Sequence, residues 1–217
     1  LAHEIKNPLT PIQLSIDRLR EKYLIKTDPK NAEFEKYLET ISRQIIDIEK
    51  LVNEFSNFAR MPRPIFKKID IIRIINNAVD FAKISSKNSI NIKTKFKNLK
   101  IDGDSDQLNR VFINLIKNSE EAFINLAEKD PNFKGKIDIE INSNNDYITV
   151  KLTDNGTGIS NTKKVMTPYF TTKKKGTGLG LPIVNKIISE HSGEFNISNR
   201  RNKEGTEVEI SFPKLNA

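Results

Sequence analysis

The sequence contains no cysteine and no tryptophan, and it holds only 9 glycines and 9 prolines in 217 residues, with aromatic side chains at 7%. Without cysteine there is no disulfide framework, no thiolate metal site and no thiol nucleophile, which suits a reducing compartment. No long apolar run is present either, so no segment reads as a membrane span. The chain opens without an initiator Met, signal peptide or targeting segment, and its first residues already belong to a periodic pattern, so we expect a fragment of a longer protein. What the sequence does carry is charge: 29% of residues are charged and the formal net charge is +8. A basic balance invites a polyanion as partner. The lysines, however, are spread along the whole chain, and only "KKK" at 173–175 and "RR" at 200–201 are clustered. No nucleic-acid partner is therefore expected. Hydrophobic residues at 36% place the chain among soluble globular proteins, with one large domain or two small ones.

Apolar residues at Ile5, Leu9, Ile12, Ile16, Leu19 and Tyr23 alternate spacings of four and three, which is a heptad seam. After the polar break "KTDPKN" the pattern resumes at Phe34, Leu38, Ile41, Ile45, Ile48, Val52, Phe55 and Ala59. Two such helices form an antiparallel hairpin. Further apolar residues flank the seam at Ile46, Leu51 and Phe58. A lone hairpin would leave them in water, so a homodimer built as a four-helix bundle is expected. Pro62 and Pro64 in "MPRPIF" end the second helix and mark a boundary between domains over 1–62 and 65–217.

Beyond the boundary helices and strands alternate. Asp70 reads as a cap before "IIRIINNAVDFAK", "INIKTKF" as a strand, and Asp104 as a cap before a helix through "QLNRVFINLIKNSEEAF". The segments 136–143 and 147–154 read as strands around "NND". The helix "LPIVNKIISEHS" is expected to stop at a left-handed Gly193, and a hairpin, "EFNISN" with "TEVEISF", closes the chain. The fold class is α+β, a helical hairpin followed by a domain in which helices and strands alternate.

Three stretches of the second domain carry chemistry. "NLIKN" places Asn114 and Asn118 four apart on one helix face, and such amides suit a magnesium-bridged triphosphate because Mg²⁺ takes hard oxygen ligands and keeps several waters. "DNGTGI" puts Asp154 at a strand end beside Gly156 and Gly158, where a buried carboxylate suits an exocyclic amine. "GTGLGL", with Gly176, Gly178, Leu179 and Gly180, leads into a helix whose free amides and positive dipole end suit phosphates. Each is weak alone; their order on one α/β domain points to a nucleotide site. No Walker motif occurs, and "GTGLGL" comes too late for a dinucleotide-binding unit.

Together, "LAHEIKNPLTPIQ", "NLIKNSEEA", "DNGTGI", "PYFTTK", "GTGLGL" and "GTEVEISFP" resemble the sensor histidine kinases of two-component systems, most closely the NtrY-like nitrogen-regulation group. The resemblance covers essentially the whole chain. It implies a dimerisation and histidine-phosphotransfer hairpin followed by an ATP-binding sandwich of the gyrase, heat-shock and histidine-kinase type, using ATP and Mg²⁺. It further implies that Asn118 holds Mg²⁺ and Asn114 lines the phosphates; that Asp154 accepts from the adenine amine, with Gly156, Gly158, Ile159 and Thr206 shaping the base pocket; and that Gly176, Gly178, Leu179 and Gly180 present amides to the phosphates. Lys173 is the candidate for neutralising the γ-phosphate, with Lys174 and Lys175 equally able to reach. Where many relatives carry a basic residue three places after the second asparagine, this chain has Glu121, which shifts charge balance onto the lid lysines.

The resemblance makes His3 the phospho-acceptor. It lies about 200° around the helix from Ile5, pointing to solvent, and an imidazole with an ordinary pKa near 6.5 is free to attack at physiological pH. Alone, a helix-surface histidine would be unremarkable. In the family Glu4 holds the other ring nitrogen, and Asn7, one turn on, positions a water to dephosphorylate the partner. Pro8 is expected to bend the helix beside the nucleophile. The expected function is ATP-dependent autophosphorylation of His3 followed by transfer to an aspartate of a response regulator receiver domain, with phosphatase activity, in the cytoplasmic portion of a bacterial sensor attached to the membrane only through an upstream region. The alternative is a nucleotide-switched ATPase or scaffold of the gyrase and mismatch-repair superfamily.

Overall fold

The computed structural model describes residues 2–23, 29–59, 61–162, 164–171, 176–201 and 204–215, with side chains of the hairpin described over 9–21 and 34–56. The chain divides into two compact units, Leu1–Pro62 and Arg63–Ala217.

The first unit is a pair of packed helices, α1 (Ala2–Tyr23) and α2 (Pro29–Ala59). Helix α1 runs unbroken through Pro8 and Pro11. Its heptad pattern sorts into two stripes rather than one seam. Ile16, Leu38 and Ile45 are buried together, with Leu9 and Phe34 packed against them, and Val52 is buried one heptad further on. The intervening positions Ile12, Leu19, Ile41 and Ile48 remain largely exposed. One stripe closes the hairpin, and the other is left open.

The second unit comprises β1 (Lys67–Asp70), α3 (Ile71–Lys83), β2 (Ser89–Thr94), β3 (Lys100–Gly103), α4 (Ser105–Lys129), β4 (Lys136–Ser143), β5 (Tyr147–Asp154), α5 (Gly180–Glu190), β6 (Glu194–Asn199) and β7 (Thr206–Pro213). Both capping aspartates act as their position dictates. Asp70 accepts from the Ile72 amide, and Asp104 accepts from the amides of Asp106 and Gln107. The short strands β1 and β3 form an antiparallel pair that the sequence pattern does not announce.

The remaining strands form one sheet in the order β2-β4-β5-β7-β6, parallel between β2 and β4 and antiparallel elsewhere. Register and the period of two give its faces opposite characters. Along one transverse row Ile92, Ile139, Leu152, Val208 and Ile197 stand side by side, and this apolar face carries the core. The adjacent row on the other face reads Lys93, Glu140, Lys151, Glu209 and Asn196, alternating in charge. Lys93 pairs with Glu140 at 3.6 Å, and Lys151 reaches Glu207 at 2.9 Å. Helices α3, α4 and α5 pack side by side, each presenting a buried apolar stripe. The unit is therefore a two-layer sandwich, with helices on one face of the sheet and solvent on the other.

Helix α5 ends differently from the sequence expectation. Gly193 is not left-handed; Ser192 is, at φ 55°. The Ser192 amide donates to Ser189 and the Gly193 amide to Ile188, the paired bonds of a Schellman motif one residue early. Glycine is needed at 193 for space instead, since a Cβ there would stand 2.6 Å from the Ser211 carbonyl of β7.

Candidate functional site

Strand β5 alternates Ile148, Val150, Leu152 and Asp154 onto the buried face, so the last of them carries a carboxylate under the helices. Asp154 is 2% exposed. Its Oδ1 accepts from the amides of Gly156 at 2.9 Å and Thr206 at 3.0 Å, and its Oδ2 accepts from the Ser119 hydroxyl at 3.0 Å. Burying a charge without such donors is costly, and the three bonds bind the strand end, the following turn, β7 and α4 to one group. The Asp154 carbonyl accepts in turn from Arg200 Nη1 at 3.0 Å. Gly205, at φ 113°, packs its backbone against that carbonyl where no side chain would fit.

Gly158 adopts φ 72°, and the next residue, Ile159, is clamped by one side chain. Asn199 accepts from the Ile159 amide at 2.6 Å and donates to its carbonyl at 2.8 Å. The turn after β5 is thereby fixed to the end of β6.

On α4 the apolar stripe Leu108, Val111, Phe112, Leu115 and Phe123 faces the sheet and Ser119 lies within it. Asn118 and Asn114, about a third of a turn away from that stripe, are half-buried. The Asn118 amide faces Gly180, the first residue of α5; a Cβ on Gly180 would lie 3.8 Å from Asn118 Nδ2 and 4.0 Å from Oδ1. Leu179 is fully buried at the N-cap of α5 and makes no side-chain capping bond. Just before it, Gly178 at φ 70° accepts from the Tyr169 amide at 3.1 Å, and its missing Cβ is what admits the Tyr169–Phe170 backbone. Tyr169 is itself left-handed at φ 68°, an uncommon conformation for an aromatic residue.

Of the residues singled out in sequence, Asp154, Gly156 and Thr206 meet directly, Gly158 and Ile159 line the adjoining turn, and Asn118 lies beside Gly180. Thr206 reaches Asp154 through its amide. Gly176 precedes Gly178 in the same loop. Glu121 stands 3.9 Å from Lys117, an exposed pair of little energetic consequence. Lys173 lies outside the described residues. His3, Glu4 and Asn7 fall within α1, and their side chains are outside the description.

Residues 1–64 match the family model of the His Kinase A (phospho-acceptor) domain, and residues 103–216 match that of the histidine kinase-, DNA gyrase B-, and HSP90-like ATPase. The chain is 39% identical over 215 residues to an NtrY-like sensor histidine kinase of Rickettsia bellii, covering 98% of this chain and 34% of that one. The chain belongs to the sensor histidine kinases. The nitrogen regulation protein NtrY of Azorhizobium caulinodans is 34% identical over 214 residues, covering 98% of this chain and 28% of its own length. The chain thus spans about a third of the length of the curated relatives it matches. Among solved structures, the catalytic domain of histidine kinase ThkA is similar with a TM-score of 0.58 at 30% identity, covering 69% of this chain and 96% of that one. Histidine kinase ThkA in complex with response regulator protein TrrA gives a TM-score of 0.65 at 27% identity, covering 99% of this chain and 60% of that one.

As a histidine kinase core, the chain holds its nucleotide-domain motifs with three side chains that the sequence reading passed over, Ser119, Asn199 and Arg200. Ser119 stood inside the quoted "NLIKNSEEA", and a polar residue in an otherwise apolar helix stripe is the signal that marks it. Asn199 and Arg200 carry no such mark. Among the described residues, no helix is long and apolar enough to cross a membrane, and no cluster of three metal-ligating side chains occurs.

Proposed function

We propose that this histidine kinase core binds ATP in its second unit, transfers the γ-phosphoryl group to His3, and then passes it to an aspartate on the receiver domain of a response regulator. The observation that carries this reading is the buried Asp154 carboxylate, which has three donors in place and one acceptor position left for an exocyclic amine, in the same unit as an asparagine facing the start of a glycine-led helix. The matches to both family models, and the solved complex of ThkA with the response regulator TrrA, support it.

In the transfer, a ring nitrogen of His3 forms a bond to the γ-phosphorus while the bond to the β–γ bridging oxygen breaks, and ADP leaves. Such a reaction needs positioning and charge neutralisation above all. The amides at Gly176, Gly178, Leu179 and Gly180, backed by the positive end of the α5 dipole, hold the phosphates, and Lys173 supplies a cation. Asn114 lines the phosphates as an amide that cannot serve as a base, so transfer prevails over hydrolysis. Asp154 accepts from the adenine amine, in a pocket walled by Gly156, Gly158, Ile159 and Thr206. Glu4 fixes the tautomer of His3, and Asn7 orients water when the core works as a phosphatase on its partner.

Asn118 fits Mg²⁺ as one hard amide oxygen, the rest of the shell coming from phosphate oxygens and water. Its side chain stands at contact distance from the place a Cβ on Gly180 would occupy, 3.8 Å from Nδ2 and 4.0 Å from Oδ1. When bound, the ion neutralises charge on the transferring group. The open stripe of Ile12, Leu19, Ile41 and Ile48 is assigned to a second copy of the hairpin, completing a four-helix bundle. Use of ATP supports a cytoplasmic core, and the greater length of its relatives leaves room for a sensing region and a membrane anchor.

The test is incubation with γ-labelled ATP and Mg²⁺. We expect acid-labile, alkali-stable label on the wild-type protein and none on His3→Gln. Label on a hydroxyl side chain, or steady phosphate release without label, overturns the reading in favour of an ATPase.

A further inference from the structure

Ser119 is 3% exposed, nearly as deeply buried as the carboxylate it serves, and apart from Gln107 in the first turn the other buried residues of its helix are apolar. A hydroxyl in that position costs free energy unless it is hydrogen-bonded. Its bond to Asp154 Oδ2 at 3.0 Å accounts for its presence. An ionised carboxylate accepts about four hydrogen bonds, roughly two to each oxygen. Oδ1 is filled by the amides of Gly156 and Thr206, so the open acceptor position belongs to Oδ2, beside Ser119.

We propose that Ser119 is a positioning residue that sets the adenine selectivity of the site, its hydroxyl fixing Asp154 Oδ2 so that the remaining acceptor position meets the exocyclic amine of the base. The inference rests on the reading of Asp154 as the base acceptor. With its hydrogen committed to Oδ2, the Ser119 oxygen has only lone pairs to turn outward, so the pair presents acceptors alone. A purine with an amine at that edge donates into it. One with a carbonyl there, as in guanine, meets acceptor against acceptor and buries both unsatisfied, the kind of mismatch that gives polar sites their discrimination. Alanine would pack in the stripe but would leave Oδ2 held by nothing except the base.

The experiment compares ATP, GTP and the triphosphate of purine riboside, which lacks the exocyclic amine, by calorimetric titration of the full chain with Mg²⁺. The wild type is expected to prefer ATP to the purine riboside triphosphate by about tenfold or more, the worth of one charge-assisted bond. In Ser119→Ala, ATP affinity falls about tenfold while that for purine riboside triphosphate stays within about twofold, so the ratio collapses. An equal loss for both nucleotides shows a packing role only and overturns the proposal, as does no loss for either. If the wild type fails to distinguish the two nucleotides and Asp154→Asn binds ATP unchanged, the reading of Asp154 itself has failed, an outcome separable from the first. Should Ser119→Ala not fold, Ser119→Cys, whose thiol is a weak donor, carries the same expectations.

Discussion

The Asp104 backbone amide donates to His191 Nε2 at 2.9 Å, joining the start of α4 to the end of α5. The other ring nitrogen, Nδ1, lies 2.8 Å from the Ile187 carbonyl, which can only accept, so the two bonds together define a neutral imidazole protonated at Nδ1. Phe66 packs against the same ring, 5.1 Å between centroids. His191→Leu fills the space but leaves the Asp104 amide unmet in a partly buried place, while the Ile187 carbonyl keeps its bond from the backbone amide of residue 191. The expected cost is about 1–3 kcal/mol to the second unit, read as an earlier loss of far-ultraviolet circular dichroism in urea. An unchanged midpoint would show that the junction contributes no stability.

Asp104 adds a pH dependence to the same junction. Burial pushes its carboxyl up, but the amides of Ile65, Gln107 and Asp106 outweigh that and hold it below the usual 3.8. A depressed carboxyl contributes stability that is present above its ordinary value and lost as pH falls through the folded one. Acid unfolding of the wild type should therefore steepen below about pH 4, and Asp104→Asn, which still caps α4 through its side-chain oxygen, should lose that part of the slope. Asp104→Ala should cost about 1–2 kcal/mol at neutral pH through the lost cap.

Gly178→Ala sets a methyl 2.6–2.8 Å from the backbone of Tyr169 and Phe170 and asks alanine to adopt φ 70°. Left-handed backbone alone costs an L-residue roughly 1–2 kcal/mol. Because the strain falls on the loop and spares the sheet, ATP affinity should drop by about tenfold or more while the circular dichroism spectrum is unchanged. Retained affinity would detach this loop from nucleotide binding.

Much of the second unit was legible because its strands alternate cleanly: 136–143 and 147–154 are found where the period of two puts them. The four-residue strands "KKID" and "KIDG" were not, since each is too short and charged to show alternation and exists only through pairing with the other. The hairpin pattern was visible, but heptad spacing cannot say which half of the seam a second helix covers. At the site, the glycines and Asp154 were readable from spacing, whereas Ser119 and Asn199 serve partners 35 and 40 residues away, a relationship that no local pattern encodes. The Gly193 expectation failed because a crowded neighbour selects glycine as surely as a left-handed φ does.

The two hairpin stripes make opposite predictions. Ile45→Ala removes volume from the closed stripe and should cost about 2–5 kcal/mol of hairpin stability. Ile41→Lys with Ile48→Lys alters the open stripe, should leave each hairpin folded, and removes four isoleucines from the proposed two-fold interface. At about 1 kcal/mol for each half-exposed side chain, dimerisation should weaken about a thousandfold, measured by light scattering across a dilution series. A monomeric wild type, or a double variant that dimerises as before, would rule out the four-helix assignment.

Asn118, the proposed ligand of Mg²⁺, is expected to separate metal-dependent from metal-independent binding. Its amide stands beside Gly180, the first residue of α5, and Mg²⁺ takes few protein ligands alongside water and phosphate oxygens. Removing that one oxygen should therefore act through the ion, leaving the base pocket around Asp154 intact. Wild-type protein should bind ATP at least about tenfold more tightly with Mg²⁺ than with a chelator, a difference of about 1.4 kcal/mol. In Asn118→Ala that ratio should approach one, with affinity for metal-free ATP nearly unchanged and with helical circular dichroism retained, because the α4 cap at Asp104 and the apolar stripe are untouched. An undiminished ratio would place the ion on other groups, and an equal loss in both conditions would make Asn118 a direct phosphate donor instead.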